Sequence, residues 1–318
     1  MPETPETPES RRVEHGITVS APAAQVYDLI ADVTNWPQVF PPTIHVEQLE
    51  RSDTGERIRI WATANGEAKA WTSRRVLDSA ERRIEFRQEL STPPVGAMGG
   101  TWVIEALSED ESRVRLLHDY RAVDDDPAKL EWIDQAVDRN STSELAALKA
   151  NAELAIGRRD LLFTFDDTVE IAGAGKDVYD FLNEADRWEE RLPHVAKVAL
   201  HEDTPGLQVL EMDTMTKDGS THTTKSVRVC FPSTKIVYKQ VVVPALMTLH
   251  TGRWLLIDTD DGVVAASRHT VAINEANVTS VLGEGAGVAE AKEFVHKALS
   301  GNSLATLGHA KEYAESRR

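Results

Sequence analysis

The feature that most constrains this chain is an internal repeat with a constant offset of 152 residues. The tripeptide Val-Tyr-Asp at 26–28 recurs at 178–180, and Trp36 recurs as Trp188. So many matches at one spacing predict two copies of one domain. The same offset relates Pro41 to Pro193, Phe86 to Tyr238, Gln88 to Gln240, Gly100 to Gly252 and Trp102 to Trp254.

The repeat sets the predicted domain boundaries in a chain of 318 residues. We predict a first domain at 13–156, a linker at 157–160 and a second domain at 161–316, each of ordinary domain size. Residues 1–12 start with a run of Pro, Glu and Thr, which lacks the basic start and apolar middle of a signal peptide. We therefore predict a disordered tail there.

Composition restricts the partners and the compartment. The net charge of −17 argues against nucleic acid and against anionic membranes, because both need a concentrated positive face. No apolar run approaches the length that crosses a bilayer. The single cysteine, Cys230, allows no internal disulfide and is interpreted as a small buried hydrophobe. These features favour a cytoplasmic protein. Since no motif for a metal, a phosphate or a nucleophile triad is found, we expect no metal and no cofactor.

Each copy is predicted to contain a strand, two short helices, six further strands and a long helix. In the first copy, 13–20 reads as a strand, Ser20 and Pro22 are typical of a helix start, and 35–40 reads as a second short helix. Apolar residues at helical spacing predict a long helix over 127–156, and the second copy ends in one over 288–314. The six strands are predicted at 44–51, 56–64, 69–78, 83–89, 101–108 and 114–122.

This order of elements predicts an α+β fold. An antiparallel sheet of this length twists and curls, and its concave face has to be covered. The C-terminal helix of each copy is the one predicted element long enough to cover it. A sheet wrapped around a helix leaves an internal pocket between them, which is a natural place for a ligand.

The segment 71–76, Trp-Thr-Ser-Arg-Arg-Val, is the candidate site. In a strand, alternate side chains share a face, so Trp71, Ser73 and Arg75 point the same way. Two interpretations are open. The face could belong to an edge strand with a solvated arginine, or it could line a cavity that holds a polar ligand, since a buried unpaired charge costs several kcal/mol.

The order of elements, with Val-Tyr-Asp and Asn-Trp-Pro in the first helices and Trp-Thr-Ser-Arg-Arg-Val on a central strand, resembles the helix-grip fold of the START and Bet v 1 superfamily. The tandem arrangement is similar to the di-domain aromatase/cyclases of bacterial type II polyketide synthases. The resemblance implies first-ring aldol closure and dehydration of a poly-β-ketone on an acyl carrier protein, alongside other synthase components. It further implies closure between carbons seven and twelve of a ketoreduced chain.

The resemblance also implies residue roles. Arg75 would be the principal catalytic residue, Ser73 its neighbour, and Trp36 and Trp71 pocket-lining aromatics. The chemistry of an aldol closure agrees, because the guanidinium of Arg75 can stabilise an enolate or alkoxide oxygen but cannot act as a base. Helix-grip proteins also include non-enzymatic carriers of lipids and other hydrophobic metabolites, and the fold alone does not decide between the two functions.

Further pocket residues are predicted, each beside a plainer alternative. Trp61 and Trp102 line the cavity or simply pack in the core. Met98 lies in a glycine-rich hairpin at 96–100 that forms a mobile mouth or an ordinary flexible turn. His118 and Tyr120 share a strand face, where one could carry a proton or both could be structural. Asn140 interrupts the apolar stripe of the long helix and either meets the ligand or bonds within the helix.

The two copies differ at this site. Ser226 and Arg228 preserve the Ser-x-Arg-Val pattern in the second copy at an offset of 153, but Thr224 stands where Trp71 would be. The first domain is therefore the better candidate for the chemistry. The second domain could bind substrate, complete aromatisation or stabilise its partner.

Overall fold

The computed structural model describes residues 10–64, 67–157, 159–215 and 221–318. The chain divides into two compact units, Met1–Arg158 and Arg159–Arg318. Within the described ranges each unit contains a seven-stranded antiparallel sheet and one long C-terminal helix. The tandem α+β architecture predicted from the sequence is therefore confirmed.

The first unit begins with a strand that returns to pair with the last one. Strand β1 pairs with β7, and the sheet order is β1-β7-β6-β5-β4-β3-β2. Every sequential connection after β2 is thus a hairpin, as the alternating pattern predicts. The elements are β1 Arg11–Val19, α1 Ala23–Ala31, α2 Trp36–Val39, β2 Thr43–Arg51, β3 Gly55–Ala64, β4 Glu67–Asp78, β5 Arg83–Gln88, β6 Val95–Ala106, β7 Ser112–Ala122 and α3 Pro127–Gly157.

The second unit repeats this topology, with the sheet order β8-β14-β13-β12-β11-β10-β9. It adds a short helix, α6, before its long helix. The elements are β8 Leu162–Ile171, α4 Gly175–Asn183, α5 Trp188–Arg191, β9 Val195–Thr204, β10 Leu207–Met215, β11 Thr221–Phe231, β12 Lys235–Val242, β13 Met247–Thr259, β14 Gly262–Ile273, α6 Val278–Leu282 and α7 Val288–Glu315.

The repeat is visible in the strand register. Phe86 lies opposite Gly100 in the first sheet, and Tyr238 lies opposite Gly252 in the second. The offset of 153 at Ser226 and Arg228 returns to 152 because the turn after β4 has four residues, 79–82, whereas the turn after β11 has three, 232–234.

The long helices cover the sheets with one apolar stripe each. In α3, Ile133, Val137, Leu145, Leu148 and Ala152 recur at helical spacing and are buried. The C-terminal part of this stripe packs into a core with residues of α1, β6 and β7. Each fully buried leucine contributes roughly 1.5–3 kcal/mol of burial free energy, which holds the helix on the sheet.

The structure differs from two predictions about local structure, and part of a third prediction lies outside the described residues. Residues 96–100 are not a hairpin but part of β6, which starts at Val95, six residues before the predicted start. Arg11 and Arg12 belong to β1 and pair with Tyr120 and Asp119, so the predicted tail is too long at its C-terminal end. The remainder of the predicted tail, 1–9, and one linker position, 158, lie outside the described residues.

Glycines extend β6 because they make room for side chains of neighbouring strands. A Cβ on Gly100 would overlap the carbonyl oxygen of Leu117 and lie 2.6 Å from Cζ of Phe86. The run reads as a turn by composition, but here it removes side chains where the sheet is crowded.

We expect Gly100→Ala to lower the free energy of unfolding by about 1–3 kcal/mol, because overpacking displaces Phe86 or the backbone of β7. Urea denaturation measures the change. Gly157→Ala is the control, since a Cβ there meets nothing within 4 Å and alanine favours the helix. Equal stability of Gly100→Ala and wild type would contradict this account of β6.

Two expectations from composition can be followed in the structure. Cys230 is free and buried in the second core, and burial raises the pKa of its thiol to about 11. The interpretation as a small buried hydrophobe is confirmed. Across the described part of the chain, every helix is too short or too polar to cross a bilayer.

Candidate active site

The first unit encloses a cavity of about 270 Å³ between its sheet and α3. Strands β3 to β7 supply most of the wall, and α2 and α3 close it. The wall is mainly apolar, with a few polar groups, as is typical of sites for small organic ligands. Four indole side chains line it, those of Trp36, Trp71, Trp102 and Trp132.

The alternating face of β4 looks into this cavity and not to solvent. Trp71, Ser73 and Arg75 all line it, and the Arg75 side chain is 2% exposed. Strand β4 is a central strand between β3 and β5, so both of its edges are hydrogen-bonded. The edge-strand interpretation with a solvated arginine is therefore wrong.

Arg75 is held by a buried ion pair. Its Nη1 donates to Oε1 of Glu56 at 2.6 Å, and the Glu56 side chain is 1% exposed. Glu56 lies directly opposite Arg75 in the pairing of β3 with β4. The sequence analysis did not identify Glu56, because only the pairing of β3 with β4 brings its carboxylate beside Arg75. A buried charge needs such a partner, because it otherwise costs several kcal/mol.

The same guanidinium also caps α1. Nη2 of Arg75 donates to the carbonyl oxygen of Ile30 at 2.7 Å, and Nη1 donates to that of Ala31 at 3.3 Å. The last carbonyls of a helix have no partner within the helix and carry partial negative charge, so a cation there is favourable. The ring of Trp36 lies 4.9 Å from Cζ of Arg75 and adds a cation–π contact.

Two donors of Arg75 remain for a ligand. Within the described residues, its Nε–H and its second Nη2 hydrogen make no hydrogen bond. Burial lowers the pKa of Arg75 to about 10, while the charge of Glu56 acts in the opposite direction. The group is therefore still protonated at neutral pH and can donate to an oxygen that gains negative charge.

The hydroxyl group of Ser73 is less available to a ligand than the sequence suggested. Its Oγ donates to the backbone carbonyl of Arg87 at 3.0 Å, so the hydroxyl proton is used within the sheet. The remaining lone pairs of Oγ can accept a hydrogen bond from a ligand or a water. Ser73 is 3% exposed and lies two residues from Arg75 on the same strand face.

Several other predicted residues come together around this cavity. Trp102, Met98 and His118 line it from β6 and β7, and Asn140 lines it from α3. Burial lowers the pKa of His118 to about 4, so this imidazole is neutral at neutral pH. Asn140 is an exposed residue that also lines the cavity, so it lies on a part of the wall that solvent reaches.

Two predicted pocket residues lie elsewhere. Trp61 points to the opposite face of β3 from Ile60, where its ring stacks on His45 at 5.5 Å. Tyr120 shares a strand face with His118, but Ile133 and Val137 pack on it and its hydroxyl donates to Asp134 at 2.5 Å. Their predicted position on the pocket wall is wrong because one lies on the outer sheet face and the other is sealed by α3.

One carboxyl group on the wall was missed by sequence reasoning. Glu144 lies on the inner face of α3, one helical turn after Ser141 and one turn before Leu148. Burial raises its pKa to about 7. The signal was present in the sequence, since a glutamate at the spacing of an apolar helix stripe is unusual on a buried face.

The second unit contains a smaller and more polar cavity of about 120 Å³. Arg228 and Ser226 line it, and Thr224 takes the place of Trp71. Nη2 of Arg228 donates to the carbonyl oxygen of Leu182 at 2.5 Å, but Gln208 stands opposite it in the strand pairing, where the first unit has Glu56.

Imidazole and hydroxyl groups line part of this second cavity. Nδ1 of His269 lies 2.9 Å from Nε2 of His250, and its Nε2 lies 2.7 Å from Oγ of Ser303. Burial lowers the pKa of His269 to about 4, so it is neutral at neutral pH. In the parts of the chain that are described, no three His, Cys, Asp or Glu side chains are grouped so that they could hold a metal ion.

Comparisons with known proteins agree with this architecture. Residues 19–169 match the family model described as polyketide cyclase/dehydrase and lipid transport. The chain is 54% identical to a granaticin polyketide synthase bifunctional cyclase/dehydratase of Streptomyces virginiae, over 93% of this chain and 97% of that protein. It is 47% identical to the actinorhodin polyketide synthase bifunctional cyclase/dehydratase of Streptomyces coelicolor, over 95% of this chain and 96% of that protein.

Two crystal structures share the whole fold. The di-domain ARO/CYC BexL, from the BE-7585A biosynthetic pathway, is 62% identical and aligns with a TM-score of 0.89 over 96% of this chain and 99% of its own. The di-domain ARO/CYC StfQ, from the steffimycin pathway, is 38% identical and aligns with a TM-score of 0.86 over the same shares. The predicted pair of tandem helix-grip domains is confirmed.

Proposed function

Because the chain belongs to the polyketide cyclase/dehydrase family and, within it, to the di-domain aromatase/cyclases, we propose that it closes and dehydrates the first ring of a poly-β-ketone in the cavity of its first unit. The substrate in this proposal is carried by an acyl carrier protein, and the enzyme works with the other components of a type II synthase. Ring closure joins carbons seven and twelve of a ketoreduced chain. Both steps are redox-neutral, so the proposal invokes no redox cofactor.

The observation that carries the proposal is a protonated arginine in the wall of a mainly apolar, aromatic cavity. In an aldol closure, negative charge develops on the oxygen of the accepting carbonyl. The unused Nε–H and Nη2 hydrogens of Arg75 can bind that oxygen, and the pair with Glu56 fixes the guanidinium in advance. Preorganised donors in a site shielded from water are the largest source of such stabilisation.

The walls of the cavity also hold the substrate chain in a bent conformation. Indole rings of Trp36, Trp71 and Trp102 offer flat apolar surfaces against which a bent chain of ketones can pack. Holding the two reacting carbons close together supplies a large part of the acceleration, because it removes the entropy cost of finding that geometry. We propose that the smaller cavity of the second unit has a supporting role in binding or stability.

Reconstitution tests the proposal. A minimal polyketide synthase that makes spontaneously cyclised shunt products is supplied with the purified protein. We expect the products to shift to a single regiochemistry of the first ring. An unchanged product profile, together with tight binding of a polyketide mimic, would contradict the enzyme and favour a carrier of hydrophobic metabolites.

A variant taken from the second unit tests the role of the aromatic wall. Trp71→Thr places in the first cavity the residue found at position 224. We expect about a 10- to 100-fold loss of the correctly cyclised product, because a looser cavity misplaces the reacting carbons. Val76→Thr, on the exposed outer face of the same strand, is the control and should keep wild-type activity. Equal product yields from the two variants would contradict a role for the indole ring of Trp71.

A further inference from the structure

The cavity of the second unit contains a buried cation that no anion contacts. Arg228 lines this cavity and is 2% exposed, and its one hydrogen bond within the described residues joins Nη2 to the carbonyl oxygen of Leu182. Its Nη1 is buried and has no hydrogen-bond partner in that part of the chain. Burial lowers the pKa of Arg228, but a guanidinium keeps its proton at neutral pH. A buried positive charge is costly unless an anion lies beside it.

The two units place their carboxylates differently around the buried arginine. In the first unit Gln48 donates to Glu56, and the carboxylate of Glu56 contacts the guanidinium. In the second unit the amide and the carboxylate are exchanged, because Gln208 lies opposite Arg228 and binds Glu202 at 2.7 Å. Glu202 is exposed, so water and salt screen its charge. Among the described residues, no carboxylate contacts the guanidinium of Arg228.

The wall of the second cavity carries polar groups that the first cavity lacks. Three large apolar side chains of the first cavity are replaced, with Thr224 for Trp71, His250 for Met98 and Tyr238 for Phe86. Within the described ranges, Nδ1 of His250 and Oε1 of Gln240 are buried and have no hydrogen-bond partner. Since buried polar atoms are almost always hydrogen-bonded, these two atoms indicate a polar occupant.

The remainder of the wall is apolar, and the space is small. Trp188, Trp254, Leu210 and Met247 line it, and the ring of Trp188 lies 5.2 Å from Cζ of Arg228. The volume of about 120 Å³ is comparable with the roughly 150 Å³ cavity that holds one benzene molecule in an engineered protein. The cavity therefore suits a ligand with an apolar body the size of one ring and a single charged end.

We propose that the second cavity is a binding site for a small organic carboxylate of about the size of benzoate. The carboxylate accepts hydrogen bonds from the remaining N–H groups of Arg228, and its apolar body contacts the apolar part of the wall. A carboxylate matches the planar fork of a guanidinium, and it supplies the negative charge that Glu56 supplies in the first unit. This site does not depend on the chemistry proposed for the first cavity.

Titration of the full-length protein with benzoate tests the proposal. We expect benzoate to shift the NMR signals of the imidazole rings of His250 and His269, which line the second cavity. The signal of His118 reports separately on the first cavity, which also contains an arginine. Benzamide has the same shape without the charge and should bind about 10- to 100-fold more weakly, because hydrogen bonds to a charged group are stronger. Inorganic phosphate, which has no apolar body, should also bind more weakly than benzoate.

Variants of the second unit identify the groups responsible. Arg228→Met should abolish the benzoate-induced shifts of His250 and His269. The double variant Glu202→Gln/Gln208→Glu restores the order of amide and carboxylate found in the first unit and keeps the net charge. It places a carboxylate against Arg228, so we expect benzoate to bind at least about 10-fold more weakly. Lys225→Met removes a positive charge from the same strand outside the cavity and should keep the wild-type affinity.

Three results would overturn the proposal. They are unshifted His250 and His269 signals at millimolar benzoate, equal affinities for benzoate and benzamide, and a Glu202→Gln/Gln208→Glu variant that binds benzoate as tightly as wild type. If Arg228→Met does not fold, the comparison with benzamide and the double variant still decide. These readouts measure binding in the second unit alone, so they are independent of whether the first cavity steers cyclisation.

Discussion

We expect Arg75→Ala to lower the free energy of unfolding by about 3–5 kcal/mol, the usual effect of removing one partner of a buried ion pair. Glu56 would be left 1% exposed with its carboxylate facing the space that the guanidinium had filled. The carbonyl oxygen of Ala31 at the end of α1 would lose its guanidinium donor as well, and that of Ile30 would keep only the indole Nε1–H of Trp36 at 3.0 Å. Urea denaturation of the variant beside wild type measures the loss.

A double variant identifies the cause. The double variant Glu56→Gln/Arg75→Ala removes both charges. Its loss in the free energy of unfolding should therefore be smaller than the sum of the losses in the two single variants. The difference isolates the interaction between the two charges from the loss of packing. Additive effects would show that the ion pair is not what Arg75 contributes.

The second unit supplies a control with a different electrostatic setting. Arg228 is 2% exposed and has no carboxylate in direct contact among the described residues, because Gln208 replaces Glu56. The carboxylate of Glu202 binds Gln208 instead, at 2.7 Å. Arg228→Met should therefore cost much less than Arg75→Met, since apolar side chains often replace a buried charge without loss. Equal losses would contradict this distinction.

The stability effect changes how activity data on Arg75 must be interpreted. Loss of activity in Arg75→Ala has a structural explanation, because α1 is then no longer held to the sheet by the guanidinium of Arg75. Variants that keep this pair intact, such as Trp71→Thr and Glu144→Gln, test the site with less disturbance of the fold. A loss of activity in an Arg75 variant reports on the mechanism only when the variant and wild type are compared at the same fraction of folded protein.

Much of the fold was accessible from sequence because the signals repeat. The offset of 152 residues predicted two units, and strict alternation predicted strands from β2 to β5 to within a few residues. The face of β4 was assigned from alternation alone, and Trp71, Ser73 and Arg75 do share one wall. These properties depend on local periodicity, which survives without knowledge of tertiary contacts.

What sequence reasoning missed depends on pairing between elements. The partner of Arg75 is 19 residues earlier, and only the register of β3 with β4 brings Glu56 to it. By composition the glycines at 96–100 resembled a turn. The reason for a glycine at position 100 lies in the neighbouring strand, because the ring of Phe86 occupies the space that a side chain there would need. Tyr120 has the correct alternation for the cavity, but α3 seals it off.

The stability of the protein should also depend on Glu144 in a pH-dependent way. In the folded state its pKa is about 7, raised from the ordinary value of 4.5, so the folded protein holds this proton more tightly than the unfolded chain does. Stability from this group is fully present below pH 4.5 and is lost as the pH rises through 7. The loss has an upper limit of about 3 kcal/mol, from a shift of this size at 1.36 kcal/mol per pH unit.

Glu144→Gln removes this titration and keeps the shape of the side chain. The variant should therefore match wild type most closely near pH 4.5 and become more stable than wild type by up to about 3 kcal/mol above pH 8. Urea unfolding across pH 4–9, with Glu131→Gln at an exposed position of α3 as the parallel control, measures the difference. A constant difference across this range would show that the carboxyl group is not held in a poorly solvated cavity. A difference that rises with pH would mean that the first unit gives up stability to keep this carboxyl group on the wall of the cavity.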